Sequence, residues 1–287
     1  MREYKNAVMD NARWAGFAPR PGDIFVCTPS KCGTTWMQTI VANLLWPDGN
    51  FPGPIVNGVC PWIEAKFMPA EAMHAMLAAQ THRRAMKSHT PADGIPWFDD
   101  AKYITVARDG RDAFMSWCNH VTRMKMTTLL NEQAEKDGVA KISTFDGDYR
   151  RFFYQWLDEN NFFDVVASYW ARRDRKNLLF VHYNDLKTDL AGEMRRVAAF
   201  LDIALDAAAW PAVVERCTFE GMRRADTRIG NFEMAFEGGI EGFLFKGTNG
   251  RWRDVLGPDE LAAYQRRIAA VLPSDAVRWL EHGGPLR

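Results

Sequence analysis

A lysine, a glycine and two threonines stand together at Lys31-Cys32-Gly33-Thr34-Thr35, after the apolar run Asp23-Ile-Phe-Val-Cys-Thr28 and before a helical pattern that opens at Trp36. A helix N-terminus presents unpaired N–H groups and a partial positive charge. Glycine lets the backbone close on an anion, and lysine and hydroxyls add donors. The segment therefore reads as an anion cradle, with a plain capped helix after a turn as the simpler alternative. It is not the nucleotide loop G-x-x-x-x-G-K-[ST], because its lysine precedes the glycine and the first glycine is missing, which disfavours a standard ATPase or GTPase. Two further clusters end apolar runs. Lys87-Ser88-His89 closes Arg84-Ala-Met-Lys87, and an imidazole of ordinary pKa ~6.5 takes a proton at neutral pH. Arg108 closes Lys102-Tyr-Ile-Thr-Val-Ala107, with Ser116 two turns into the next segment, and a guanidinium grips phosphate with two parallel hydrogen bonds. Standing alone, His89 reads more readily as a surface or structural histidine, and Arg108 as a partner for Asp109 or Asp112 at a helix start.

These groups need a frame that brings chain-distant loops together. The runs 23–28, 84–87, 102–107 and 177–182 are short, apolar and β-rich, as strands buried on both faces are. Between them lie helical patterns: Met37, Ile40, Val41, Leu44 and Leu45 before Trp46-Pro47, then 109–126, 187–201, 258–272 and 274–280. Alternation of this kind predicts α/β architecture with a central parallel sheet flanked by helices, in a single domain over 1–287. Open sheets of this class place ligands at the carboxyl ends of the strands, which is where all three clusters fall. The Gly/Pro-rich stretches 47–61 and 237–250 read as long loops covering a site.

With 36 Lys plus Arg against 36 Asp plus Glu in 287 residues, the chain lacks the basic excess of a nucleic-acid coating protein. Five cysteines (Cys27, Cys32, Cys60, Cys118, Cys217) show no CxxC pair and no metal-ligand spacing, which suits a reducing compartment. Residues 1–20 carry Arg2, Glu3, Lys5, Asp10 and Arg13 without an apolar stretch, so no secretory signal is expected. No run of about 18 apolar residues exists to span a membrane. A cytoplasmic protein is the expectation.

Beyond single clusters, Thr28-Pro-Ser-Lys-Cys-Gly-Thr-Thr-Trp36 resembles the T-x-P-K-S-G-T-T-W loop of cytosolic-type sulfotransferases that use 3′-phosphoadenosine 5′-phosphosulfate (PAPS). Lys87-Ser-His-Thr-Pro91 is similar to that family's K-T-H-x-P motif. Arg108-Asp-Gly-Arg-Asp112 with Ser116 is similar to R-[ND]-P-[KR]-D-x-x-x-S, Gly110 replacing the usual proline. Val181-His-Tyr183-Asn-Asp-Leu resembles L-x-Y-E-D-[ML], with Asn184 in place of glutamate. Cys217-Thr-Phe-Glu-Gly-Met222 resembles T-S-F-x-x-M, and Phe243-Leu-Phe-Lys246-Gly247 with Gly250-Arg-Trp252 resembles F-x-R-K-G-x-x-G-x-W. The motifs run in the family's order over about residues 20 to 270, and their spelling looks closer to bacterial members than to animal ones.

The resemblance implies a P-loop-kinase-like sulfotransferase fold and O-sulfotransferase activity: transfer of a sulfuryl group from PAPS to a hydroxyl, leaving PAP, with no metal required. It implies His89 as general base, Lys31 on the leaving oxygen and Lys87 steadying the sulfonate. The loop Lys31, Cys32, Gly33, Thr34 and Thr35 would hold the 5′-phosphate, and Trp36 and Tyr183 the adenine. Arg108, Ser116, Lys246 and Gly247 would hold the 3′-phosphate, and Cys217 occupies a nucleotide-contacting threonine position. Phe245 replaces the family's arginine, a loss of about 1.5–3 kcal/mol for a charged phosphate contact unless Arg251 or Arg253 compensates. Of the other histidines, only His120 and His182 lie near these segments, and neither matches the base position. The alternatives are a non-catalytic binder of the same fold and a nucleoside-type phosphotransferase. The acceptor is a small molecule; Trp62, Phe67, Trp97, Phe98, Trp117, Phe152, Phe153 and Trp156 are candidates for an apolar slot suiting a phenol, an alcohol or a glycolipid. The dimer motif of animal relatives is not legible, Gly257-Pro258 standing in its place, which leaves the oligomeric state open.

Overall fold

The computed structural model describes residues 1–286. Four parallel strands, β1 (Ile24–Cys27), β2 (Ala85–Ser88), β3 (Lys102–Ala107) and β4 (Leu178–His182), form one sheet in the order β2-β1-β3-β4. The registers Cys27↔Ser88, Val26↔Ile104 and Ala107↔His182 bring the strands' carboxyl ends close together. The chain leaves β1 to one side and returns on the other, so the order reverses around β1. That reversal opens a crevice at the strand ends.

Alternation along each strand divides the sheet into two buried faces. Phe25, Cys27, Met86 and Tyr103 point into one core, shared with the helices Gly110–Arg123, Tyr149–Glu159, Phe162–Trp170, Pro258–Val271 and Ser274–His282. Ile24, Val26, Ile104, Val106 and Val181 point into the other, covered by α1 (Thr34–Leu45) and the helix Leu190–Phe200. A third apolar cluster, with Ile55, Val59, Met222, Ile229, Phe232, Phe236 and Ile240, lies among loops and short helices beside α1. The amino end of the sheet, opposite the crevice, carries a buried ion pair: Arg84 bonds Asp23 through Nε at 2.8 Å and Nη2 at 2.5 Å. It ties the start of β1 to that of β2, and a buried pair of this kind is costly to break by removing one partner.

The expected 187–201 helix is two. Asp189 ends Tyr183–Thr188 and caps Leu190–Phe200, its carboxylate accepting from Gly192 N at 2.8 Å, so the chain turns at a residue that favours caps over helix interiors. The expected 109–126 helix stops at Arg123, because Met124 is extended and bridges to Phe236. The 237–250 loop contains the short helix Gly239–Phe243. The periodicity leaves out the helices Ala70–Ala79, Thr127–Asp137, Tyr149–Glu159, Phe162–Trp170, Trp210–Arg216 and Phe219–Ile229. All five cysteines are buried and free. Among the described residues, no helix is long and apolar enough to cross a membrane.

Candidate active site

A cavity of about 1230 Å³ opens at the carboxyl ends of the strands. Each strand delivers residues to its wall: Ser30 and Lys31 after β1, Lys87 and His89 at the end of β2, Arg108 after β3 and Tyr183 after β4.

The loop after β1 turns tightly. Lys31 is left-handed (φ 67°), as is Gly33 (φ 99°), which caps α1. A Cβ on Gly33 would stand 3.0 Å from the Tyr183 ring, so the position needs glycine for conformation and for space. The α1 N–H groups open towards the cavity beside Thr34 and Thr35, and Thr28 and Thr34 hydroxyls pair at 2.5 Å. Trp36 donates its indole N–H to Cys217 O at 2.7 Å and meets Tyr183 edge-on at 5.3 Å, so two aromatic rings flank the cavity here.

His89 is held by its Nδ1, which donates to Thr28 O at 2.8 Å. A carbonyl only accepts, so the proton of the neutral ring sits on Nδ1 and Nε2 keeps its lone pair. Enclosure away from bulk water, then the charges of Lys87 and Lys31, push the imidazole pKa down to about 3. Lys87 lies over the Trp62 ring at 4.6 Å, and burial lowers its pKa to about 8. Lys31 falls to about 7, by burial first and then by Lys87 and Arg108. Among the described residues, none of Lys31, Lys87 and Arg108 makes an ion pair. They form an uncompensated positive centre, raised in energy by mutual repulsion and suited to an anion of several charges.

Arg108 is fixed by a polar chain. It donates through Nε at 3.1 Å and Nη2 at 2.6 Å to Asn249 Oδ1, and Asn249 donates to Asn184 Oδ1 at 2.6 Å. The guanidinium stacks over Tyr183 at 4.2 Å. Gly250 N donates to Asp112 at 2.7 Å and Lys187 donates to Gly247 O at 2.8 Å, so the 245–251 loop is tied down from two helices. Gly247 is left-handed (φ 62°) and packs on Phe219, where a Cβ would stand 2.8 Å from the ring. Ser116 and Lys246 line the same wall. The Phe245 ring is surrounded by cations: Arg123 at 5.2 Å, Lys246 at 5.2 Å and Arg251 at 5.3 Å. Of the two arginines expected to compensate for Phe245, Arg251 lines the cavity, whereas Arg253 is turned onto Trp252 at 4.5 Å.

Two expected site residues do not reach the cavity with their side chains. Cys32 is fully buried in the sheet core behind the loop, and Cys217 is fully buried with its thiol towards Thr39 O at 3.8 Å. Cys217 serves the wall through its backbone carbonyl, which orients Trp36. The aromatic list also divides. Trp62, Phe67, Trp117 and Trp156 line the cavity. Trp97 instead stacks on Tyr103 at 4.3 Å, Phe153 packs on Phe114 at 4.8 Å, and Phe98 and Phe152 lie with them in the core. His182 is structural: it caps Tyr183–Thr188 by accepting from Asn184 N and hydrogen-bonds Leu280 O at 3.0 Å.

Residues 21–275 match the family model described as "Sulfotransferase domain". The chain belongs to the sulfotransferase family. That family's reaction moves a sulfuryl group from PAPS to a hydroxyl acceptor. The chain is 31% identical to a protein named "Glycolipid sulfotransferase" from Mycobacterium tuberculosis, over 98% of this chain and 94% of that one. It is 27% identical to "Sulfotransferase 1C2" from Homo sapiens, over 86% and 82%. Among solved structures it is similar to mouse sulfotransferase SULT7A1 complexed with PAP (TM-score 0.72, 19% identity, 94% and 90% covered). It is also similar to a retinol dehydratase in complex with androsterone and inactive cofactor PAP (TM-score 0.70, 21% identity, 93% and 87% covered). These likenesses show the α/β sulfotransferase fold.

Three residues in or behind the cavity wall escaped the motifs. Asn249 lies between Gly247 and Gly250 and holds Arg108; nothing in its local sequence says so. Glu64 is buried under His89's strand end and accepts from Ser88 at 2.5 Å, Thr90 at 3.1 Å and Trp14 at 2.9 Å, and burial raises its pKa. His120 was in plain sight: it stands four residues, one helical turn, beyond Ser116 and so on the same face.

Proposed function

We propose that the protein is a PAPS-dependent O-sulfotransferase working without a metal, and that the whole chain serves as one domain built around a phosphate loop of the P-loop-kinase kind. The observation carrying this is the Lys31–Lys87–Arg108 centre, without an ion pair among the described residues, beside a histidine whose free lone pair is on Nε2. In this reading Gly33, Thr34 and Thr35 hold the 5′-phosphate at the start of α1, Cys32 contributes through its backbone, and Trp36 and Tyr183 flank the adenine. Arg108, Ser116, Lys246 and Gly247 take the 3′-phosphate, and Arg251 supplies the charge that Phe245 lacks.

His89 Nε2 accepts the acceptor's hydroxyl proton as that oxygen forms its bond to sulfur, while the bond from sulfur to the bridging phosphate oxygen breaks with its electron pair going to that oxygen. Lys31 donates a hydrogen bond to the leaving oxygen, where negative charge grows, and Lys87 steadies the sulfonate in transit. The anionic donor itself neutralises the charges that depress His89, so the base strengthens once the donor is in place.

The acceptor end of the cavity combines the apolar Trp62, Trp117 and Phe236 with the polar Asn131, Gln155 and Glu159 in its lining. That mixture suits an amphiphilic alcohol. The name of the mycobacterial relatives favours a glycolipid over a simple phenol. The test is thermal shift with PAP against AMP and with ATP plus Mg²⁺, followed by transfer from labelled PAPS to phenols, aliphatic alcohols and glycolipids. Stabilisation by PAP well beyond AMP, and label appearing in an acceptor, are expected. Stabilisation by ATP with Mg²⁺ and not by PAP would overturn the donor. Tight PAP binding with no transfer to any acceptor would favour a non-catalytic binder.

A further inference from the structure

A second imidazole stands at the reacting end of the cavity, unused by the assignment above. His120 lines the wall from the helix Gly110–Arg123. Its ring is clamped by aromatics: Trp117 lies at 5.5 Å and 24° from parallel, Phe236 at 4.9 Å and Phe243 at 6.2 Å. Its Nδ1 is 3.1 Å from Lys31 Nζ, which also sits 4.6 Å from the centre of the Phe243 ring. Its Nε2 makes no hydrogen bond with the described residues and is not sealed from solvent.

We propose that His120 is the positioning residue for Lys31: its Nδ1 lone pair accepts a hydrogen bond from the lysine ammonium, which keeps that charge in place and leaves Nε2–H as a donor at the cavity wall. This rests on the reading of Lys31 as the group facing the leaving oxygen. The chemistry of the partner is the argument. A carboxylate 3.1 Å from Lys31 would neutralise it and repel an anionic donor, whereas a neutral imidazole holds the ammonium without cancelling its charge.

Burial and the neighbouring cations of Lys31 and Lys87, together with His89, hold His120 well below its ordinary pKa, so the ring is neutral. The other groups facing the pair are Arg108, a cation that disfavours a charged Lys31, and the buried thiol of Cys32. An acceptor on Lys31 opposes that repulsion. The two imidazoles are consequently opposite tautomers. His89 donates from Nδ1 and accepts at Nε2; His120 accepts at Nδ1 and donates from Nε2. Only His89 then has the lone pair a base requires.

The test reads Lys31 directly. Its rate of acylation by acetic anhydride is followed against pH by peptide mass spectrometry, in the full chain and in His120→Phe and His120→Asn. The Phe variant keeps an aromatic ring between Trp117 and Phe236 without an acceptor, and the Asn variant places an amide oxygen near the position of Nδ1. The midpoint of Lys31 titration is expected to move down by about one pH unit in His120→Phe and to return to within about 0.3 unit in His120→Asn, as loss and rescue of a hydrogen bond to a charged group would give. In turnover, kcat is expected to drop by about tenfold or more in His120→Phe, with PAP affinity changed less than about threefold, and most of kcat to be restored in His120→Asn. If His120→Phe does not fold, His120→Leu carries the same arm. A midpoint unchanged in the variant lacking an acceptor, or displaced equally in both variants, overturns the proposal. Because acylation needs no turnover, a wild-type chain that transfers no sulfuryl group defeats the functional reading while the His120 result still stands or falls by itself.

Discussion

The two ends of the cavity are built on different principles. At the end proposed for the donor, several polar contacts are cross-braced. Arg108 is held by Asn249, Asn249 by Asn184, Gly250 by Asp112, Gly247 by Lys187 and Trp36 by the Cys217 carbonyl. Two left-handed residues at the β1 loop, Lys31 and Gly33, complete a shape that few sequences can adopt. At the end proposed for the acceptor, Trp62, Phe67, Met124, Met126 and Phe236 line the cavity, Trp62 meets Phe67 edge-on, and Phe67 and Met126 remain 51% and 38% exposed. Directional bonds demand particular residues at particular places. Apolar contact demands only bulk, so the first end is rigid and specific and the second is open to many occupants.

Several substitutions would break or sharpen that contrast. His89→Ala removes the imidazole proposed as the proton acceptor at the junction of the two ends. A fall in kcat of about 10³-fold or more is expected, with PAP affinity by calorimetry unchanged within about twofold. Wild-type turnover in that variant would remove His89 from the chemistry. Lys31→Met should lower kcat by about 10²–10³-fold, more than it weakens the nucleotide, because its hydrogen bond strengthens as charge builds on the leaving oxygen. Equal losses in kcat and affinity would make Lys31 a binding group only.

Arg251→Ala tests the replacement for Phe245. Losing a charged hydrogen bond of about 2 kcal/mol weakens PAP about 30-fold while AMP is nearly unaffected. An equal loss for both ligands would place Arg251 elsewhere. The cation centre also has a pH signature. Lys31 and Lys87 titrate at about 7 and about 8 in the free protein, and an anion raises both. Binding therefore takes up protons above neutrality, and PAP affinity is expected to fall by up to about tenfold per pH unit for each group between pH ~7 and ~9. Calorimetry in buffers of different ionisation enthalpy would show that uptake; flat affinity over this range would mean the lysines stay charged throughout. Smallest of all, Trp117→Ala should raise acceptor KM by about five- to tenfold and leave PAP binding alone. A matching loss in PAP affinity would show that the two ends are not separable.

The same contrast decides what was legible beforehand. β3 was read at its observed limits, and the other strands to within a residue or so, because short apolar runs ended by Pro29, Arg108 and His182 have few other readings. The loop from Lys31 to Trp36, His89, Arg108 and Ser116 stood out because anion chemistry at strand ends restricts residue type. Cys217 misled for the opposite reason: its position serves Trp36 through a carbonyl, which any residue supplies, so its side chain carried no information. Trp97, Phe152 and Phe153 were candidates for the acceptor slot but lie in the core, since periodicity cannot tell a ring facing a cavity from one facing a helix.

The sequence by itself determined the parallel sheet, the tight loop between β1 and α1 and the family, because local backbone geometry and charge at strand ends are encoded within a few neighbouring residues. Only the tertiary structure decided that His89 Nδ1 meets the Thr28 carbonyl, that His120 meets Lys31 across 89 positions of chain, and that Arg251 rather than Arg253 turns to the cavity. Those outcomes depend on distances between segments far apart in the chain. A hydrogen bond of about 3 Å is set by how whole elements pack, not by the residues on either side of it.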